Sequence, residues 1–193
     1  MNLKTIYSAS PARGWLPWAL LAPVVCLVLA IVTDIPSALF LERFGFADAT
    51  GEPIGAQGLM ALLVVSFTAW MLAVAAWIAF VERRNAGTIG LTRPGAAAGF
   101  SGGLVAGVVT LTAVVACIWL AGGYEPGALF PAAQSPEALV AIAGLFVGFI
   151  VQASIEEIIF RGWLTSAITR RSNVICAVVL SSLLFTLLHF SRG

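Results

Sequence analysis

Charged residues are scarce in this 193-residue sequence. Lysine, arginine, aspartate and glutamate together make up 10% of it, whereas about 25% is typical of a soluble domain. Hydrophobic residues make up 60%, and the mean hydropathy is +1.01. This composition excludes an ordinary soluble protein and indicates an integral membrane protein surrounded by lipid. The formal net charge of +1 provides no electrostatic basis for a nucleic-acid partner.

Cysteine and histidine are also rare. The cysteines Cys26, Cys117 and Cys176 lie in apolar segments without metal-ligand spacing, so they are interpreted as small core residues. The single histidine is His189. Alternation of polar and apolar residues over about ten positions is absent, which favours helices over the strands of a β-barrel. Internal repeats, low-complexity tracts and a soluble domain are absent too.

Five apolar segments have about the length that a membrane-spanning helix needs, which is about 20 residues. They are residues 15–33, 59–81, 100–121, 138–160 and 174–190. We therefore predict an all-α fold, a polytopic transmembrane helical bundle of about five spans, forming a single membrane domain over residues 1–193. No small-residue cleavage site follows the first apolar run, so it is interpreted as a retained first span and not a signal peptide.

The segments between the spans contain most of the turn-forming and charged residues. Asp34 and Pro36 are assigned to the first connection, and Glu82 and Arg84 to the second. Basic residues cluster on one side of the predicted bundle and only Arg43 lies on the other, so the positive-inside rule predicts a cytoplasmic N-terminus in a plasma or inner membrane. The clustered residues are Lys4, Arg13, Arg83, Arg84, Arg93, Arg170 and Arg171.

Three charged residues interrupt the fourth span in the stretch SIEEIIFRGW. A charge at the centre of a bilayer costs at least about 2.5–3.5 kcal/mol, so Glu156, Glu157 and Arg161 need either pairing or a function. Glu157 and Arg161 are four residues apart and can form an ion pair on one helix face. Glu156 lies about 100° around the helix, on a line of small and polar residues that includes Gln152.

His189 is the expected partner of Glu156. The midpoint of positions 156 and 189 falls in the predicted turn at residues 170–173. If the fourth helix continues past Arg161, each arm rises about 25 Å at about 1.5 Å per residue, and both side chains reach the same depth. Arg161 is then expected to be buried as well. A carboxylate facing an imidazole can form a general acid/base pair or two metal ligands, and either arrangement can activate water.

Three stretches resemble the CPBP family of intramembrane proteases, which is the CAAX protease and bacteriocin-processing (Abi) family. EEIIFR, residues 156–161, fits the family's Glu-Glu-x-x-x-Arg motif, and FTLLH, residues 185–189, fits its Phe-x-x-x-His motif. TIGLTRPG, residues 88–95, is similar to a common family loop. The resemblance covers residues 88–193 as the N-terminal part of the protease core, and it implies an intramembrane endopeptidase that acts on prenylated CAAX proteins or peptide leaders.

The resemblance also implies a role for each motif residue. Glu156 would activate the attacking water, Glu157 and Arg161 would shape the site, and His189 would bind that water, a metal or the developing oxyanion. A metalloprotease and a metal-free glutamate mechanism both remain open, with zinc as the candidate metal and Glu156 and His189 as its candidate ligands. The implied partners are membrane lipid and a peptide or protein substrate.

Family members normally carry a further His-x-x-x-Asn motif on later spans, and this sequence ends at Gly193. We therefore expect a fragment of a longer enzyme, a site completed by a second copy in a homo-oligomer, or a fold that has lost activity. The last case corresponds to a non-catalytic scaffold or immunity-type protein. A small transporter is another alternative, because charged residues within the membrane also mark ion paths.

Overall fold

The structure is a computed structural model that describes residues 12–91, 95–125, 127, 131 and 135–190. The predicted all-α fold is confirmed. The α-helices are α1 (Leu21–Arg43), α2 (Gly55–Ala76), α3 (Ala96–Leu120), α4 (Pro136–Glu156), α5 (Thr165–Arg171) and α6 (Val174–Phe190). A π-helical segment prolongs α2 over Trp77–Glu82, another joins α4 to α5 over Glu157–Leu164, and a 3₁₀ turn occupies Ala86–Ile89.

Four helices in the described part of the chain are long and apolar enough to cross a membrane. They are Leu21–Arg43, Gly55–Glu82, Ala96–Leu120 and Pro136–Arg171, and Val174–Phe190 is a shorter apolar helix of 17 residues. The chain is therefore a multi-pass membrane protein, as its composition predicted. The cytoplasmic position of the N-terminus stays a prediction.

The first span lies later in the chain than predicted. It covers Leu21–Arg43, so the assignment of Asp34 and Pro36 to a loop is wrong. The helix continues through Pro36, and hydroxyls near the proline bond to its backbone: Thr33 Oγ1 donates to the carbonyl of Leu29 at 2.8 Å, and Ser37 Oγ donates to that of Thr33 at 2.7 Å.

The chain divides into two compact units, one formed by Met1–Leu91 with Ala141–Gly193 and the other by Thr92–Val140. In the smaller unit, α3 is a continuous helix of 25 residues. In the larger unit, the core centres on the π-helical segment of the fourth span, where Ile159, Trp163 and Leu164 are completely buried. The single membrane domain expected from the sequence stays a prediction.

The fourth span continues past Arg161 to Arg171, as the hairpin hypothesis required. The chain then turns at Ser172 and Asn173, and α6 returns along α5 and the π-helical segment. The side-chain oxygen of Asn173 accepts a hydrogen bond from the amide of Cys176 at 2.9 Å, which caps the first turn of α6. The predicted turn is therefore confirmed, whereas the π-helical winding before it was not predicted.

Arg84 lies in the connection after the second span, as expected, whereas Glu82 is the last residue of that span. Both side chains are completely buried. Glu82 Oε2 lies 2.6 Å from Arg84 Nη2, and Glu82 Oε1 accepts hydrogen bonds from the indoles of Trp77 and Trp163 at 3.0 and 2.9 Å. Arg84 also donates to Ser166 Oγ at 2.9 Å. These hydrogen bonds connect the end of the second span to the fourth span, because Trp163 and Ser166 belong to the fourth span and follow the EEIIFR motif.

Candidate active site

A cavity of about 330 Å³ lies within the larger unit, between α1, α2, α6 and the fourth span. Most of its lining is apolar, and it includes the rings of Trp70 and Phe160. The polar and charged residues that line it are Asp34, Ser66, Gln152, Glu156 and His189. The cavity therefore contains both members of the pair that the sequence predicted.

Glu156 is the last residue of α4, immediately before the π-helical segment. Its Oε1 accepts a hydrogen bond from Gln152 Nε2 at 3.2 Å, which confirms that the two side chains share a helix face. At Gly148, one helical turn before Gln152, an added Cβ would lie 3.2 Å from the side chain of Leu63. A side chain at Gly148 would thus crowd Leu63 of α2 where the two helices meet.

His189 lies near the end of α6, and its ring is fixed by Phe185 one turn earlier. His189 Nδ1 lies 2.8 Å from the carbonyl oxygen of Phe185, and the two rings pack with centroids 4.2 Å apart. A carbonyl can only accept a hydrogen bond, so Nδ1 carries the proton. In the neutral ring, Nε2 then has a lone pair for a water proton or a metal ion.

Glu157 and Arg161 form the predicted ion pair, with Arg161 Nη1 2.5 Å from Glu157 Oε1. They do not line the cavity that contains Glu156 and His189. Other helices do not enclose Arg161, because 56% of its side chain is exposed on the protein surface, and its depth in the membrane stays a prediction. Its guanidinium lies 5.1 Å from the centroid of the Phe185 ring, and these two residues line a separate pocket.

The structure therefore brings together two of the four predicted site residues, Glu156 and His189, and connects the other two to them through one ring. Phe185 contacts both the guanidinium of Arg161 and the imidazole of His189. Phe185 also packs edge-on against Phe160 at 5.2 Å. The first residue of FTLLH is thus a spacer between the ion pair and the histidine.

Three cavity residues were missed from the sequence: Asp34, Ser66 and Trp70. Asp34 lies on the same face of α1 as Leu27 and Ile31, which also line the cavity. This spacing of three and four residues would have placed Asp34 in the span had Pro36 not been interpreted as a helix end. Ser66 Oγ and Trp70 Nε1 are buried without a hydrogen-bond partner among the described residues.

A catalytic zinc ion usually has three protein ligands. Among the described residues, no group of three or more histidine, cysteine, aspartate or glutamate side chains is arranged to hold a metal ion. Glu156 and His189 could supply two ligands at most. The described residues do not form a zinc site by themselves.

A comparison with protein-family models matches the part of the chain that contains the EEIIFR and FTLLH motifs. Residues 138–193 match the family model described as type II CAAX prenyl endopeptidase, Rce1-like. This segment resembles the CAAX prenyl endopeptidases. It contains Glu156, Glu157, Arg161 and His189, and it covers less than a third of the chain, so the resemblance predicted from the motifs is confirmed over this segment. No curated protein and no solved structure matches the chain.

Proposed function

We propose that this chain is a CAAX-type intramembrane endopeptidase, which hydrolyses a peptide bond in or next to the membrane. The observation that carries the proposal is the shared cavity of Glu156 and His189, both of which lie in the segment that matches the endopeptidase family. The apolar remainder of the lining suits a lipid-modified or aliphatic peptide. A prenylated peptide is therefore the first substrate class to test.

Glu156 acts as the general base in this proposal. Its carboxylate takes a proton from a water molecule while the water oxygen bonds to the carbonyl carbon of the substrate. The tetrahedral intermediate then collapses, the carbon–nitrogen bond breaks, and Glu156 passes the proton to the leaving amine. Gln152 donates to one carboxylate oxygen, which holds the carboxylate in place and leaves the other oxygen for the water.

His189 positions the attacking water. Because its Nδ1 proton is engaged by the carbonyl of Phe185, Nε2 can accept the second proton of the water in a hydrogen bond. An oxyanion needs a donor instead, so this tautomer favours binding of water over binding of the oxyanion. Glu157 and Arg161 act indirectly, since Arg161 rests on Phe185, which in turn fixes the imidazole.

The test uses the full chain in lipid nanodiscs with a farnesylated peptide that ends in cysteine, two aliphatic residues and one further residue. Glu156→Gln removes the base but keeps the size of the side chain, and we expect cleavage to fall by about a hundredfold to ten-thousandfold. Glu42→Gln is the matched control, because Glu42 is exposed in the last turn of α1 and does not line the cavity.

Equal cleavage by wild type and Glu156→Gln would refute the proposal, and so would the absence of cleavage by the wild-type chain. A cellular phenotype that Glu156→Gln leaves intact would favour a non-catalytic binding protein. Gel filtration and circular dichroism of each variant establish that the substitutions leave the chain folded.

A further inference from the structure

Asp34 places a second carboxylate on the wall of the cavity. It lies in α1, seven residues after Leu27, and both residues line the cavity. Seven residues correspond to about 10 Å along a helix. The cavity is thus long enough along α1 to hold several atoms of an extended peptide besides the bond that is cut.

Repair of the helix at Pro36 does not account for this carboxylate. Proline leaves the carbonyl four positions earlier without its donor, and an ionised carboxylate has no proton to donate to it. Within the described part of the chain, the side chain of Asp34 has no hydrogen bond or ion pair, and the residue is exposed. A carboxylate within a spanning helix is costly unless it is paired or used, so an unpaired one that lines the same cavity as Glu156 and His189 indicates a function.

The charges around the cavity indicate the kind of group that Asp34 binds. Glu156 and Asp34 are both acidic, and the described residues that line the cavity include no lysine or arginine. Arg161, the cation in the EEIIFR motif, is paired with Glu157 and does not line the cavity. The charge that this lining would attract in a ligand is therefore positive.

We propose that Asp34 is a specificity-determining residue, which binds a lysine or arginine side chain of the peptide substrate near the bond that is cut. This inference rests on the proposed endopeptidase activity and adds a charge preference to it. The apolar lining accommodates the aliphatic or prenyl part of the substrate, and Asp34 selects among such substrates by charge. The side chain of Asp34 takes no part in the bond-breaking steps.

The test compares pairs of farnesylated peptides that carry lysine or acetyl-lysine at one position, with the position moved residue by residue along the peptide. Acetylation removes the charge and keeps the length of the side chain. At one position, we expect the wild-type chain to cleave the lysine peptide with a kcat/KM about tenfold to a hundredfold higher. Asp34→Asn should remove this preference while it still cleaves the acetylated peptide.

Two further variants make the result specific. Asp34→Glu should restore part of the preference, because it restores the charge, and Glu42→Gln should keep all of it. A preference that is unchanged in Asp34→Asn would overturn the inference. Equal cleavage of both peptides by the wild-type chain at every position would also overturn it.

Equilibrium binding separates this inference from the proposed activity. The same peptides, labelled with a fluorophore, are titrated into Glu156→Gln and into the double variant Asp34→Asn/Glu156→Gln. Tighter binding of the lysine peptide that depends on Asp34 supports the inference even if no variant cleaves any peptide. Cleavage that depends on Glu156, with equal binding of both peptides, supports the activity and refutes the role of Asp34.

Discussion

Replacement of Glu82 by alanine tests how much the contacts between the second and fourth spans contribute to the stability of the fold. The side chain of Glu82 is completely buried, as is that of its ion-pair partner Arg84. One carboxylate oxygen accepts two indole hydrogen bonds, and the other pairs with the guanidinium. Glu82→Ala therefore leaves one buried positive charge, the buried N–H of Trp163 and the N–H of half-buried Trp77 without their acceptor.

The expected loss of folding stability is large because no other acceptor replaces the carboxylate. Removal of one partner from a buried ion pair typically costs about 3–5 kcal/mol. For a soluble domain of about this length, each 1 kcal/mol corresponds to about 2–4 °C in Tm, so we expect a decrease of about 10 °C. Glu82→Gln keeps an oxygen for the indoles and removes only the charge, so its Tm should fall by less.

The measurement is thermal unfolding of the full chain in detergent, followed by circular dichroism at matched lipid content. Glu42→Ala is the control, since exposed Glu42 should contribute within about 0.5 kcal/mol. The double variant Glu82→Gln/Arg84→Met should be more stable than the sum of its single effects predicts, because it removes both charges together. A Tm of Glu82→Ala equal to that of Glu42→Ala would refute the burial argument.

Two further predictions concern the same unit. Gly162→Ala places a Cβ 2.6 Å from the backbone oxygen of Ile89, so we expect a loss of about 1–3 kcal/mol, whereas Gly87→Ala has open space and should unfold like wild type in the same assay. In the loop after α1, hydrogen bonds from the Thr50 hydroxyl and from nearby amides lower the pKa of Asp48 below the ordinary 3.8. These hydrogen bonds stabilise the folded state above pH 3.8, and this contribution is lost as the pH falls through the lowered pKa. An NMR titration that places the Asp48 carboxyl at or above 3.8 would contradict this.

Some features of the site could be predicted because they depend on local helix geometry. The spacing of Glu157 and Arg161 was sufficient to predict their ion pair, and the equal distances of Glu156 and His189 from one turn were sufficient to predict a shared site. Both predictions need only a constant rise per residue and a return along the same helix. They did not predict that Arg161 lies outside the cavity, with 56% of its side chain exposed on the protein surface.

Asp34 and Glu82 could not be assigned from the sequence because their roles depend on contacts between distant segments. A proline usually marks a helix end, and only the structure shows that α1 continues through Pro36 to Arg43. The carboxylate of Glu82 resembles that of any loop residue until Trp163, 81 positions later, donates to it.

The sequence by itself determined the membrane environment, the helical class and the pair of motifs, because each is expressed in composition or in spacing along one helix. Only the tertiary structure decided which charged residues line the cavity, which are paired outside it and which form the buried ion pair between the second and fourth spans. The physical reason is that the cost of a charge in a membrane protein depends on what surrounds it, and in this protein those surroundings come from helices far apart in the chain.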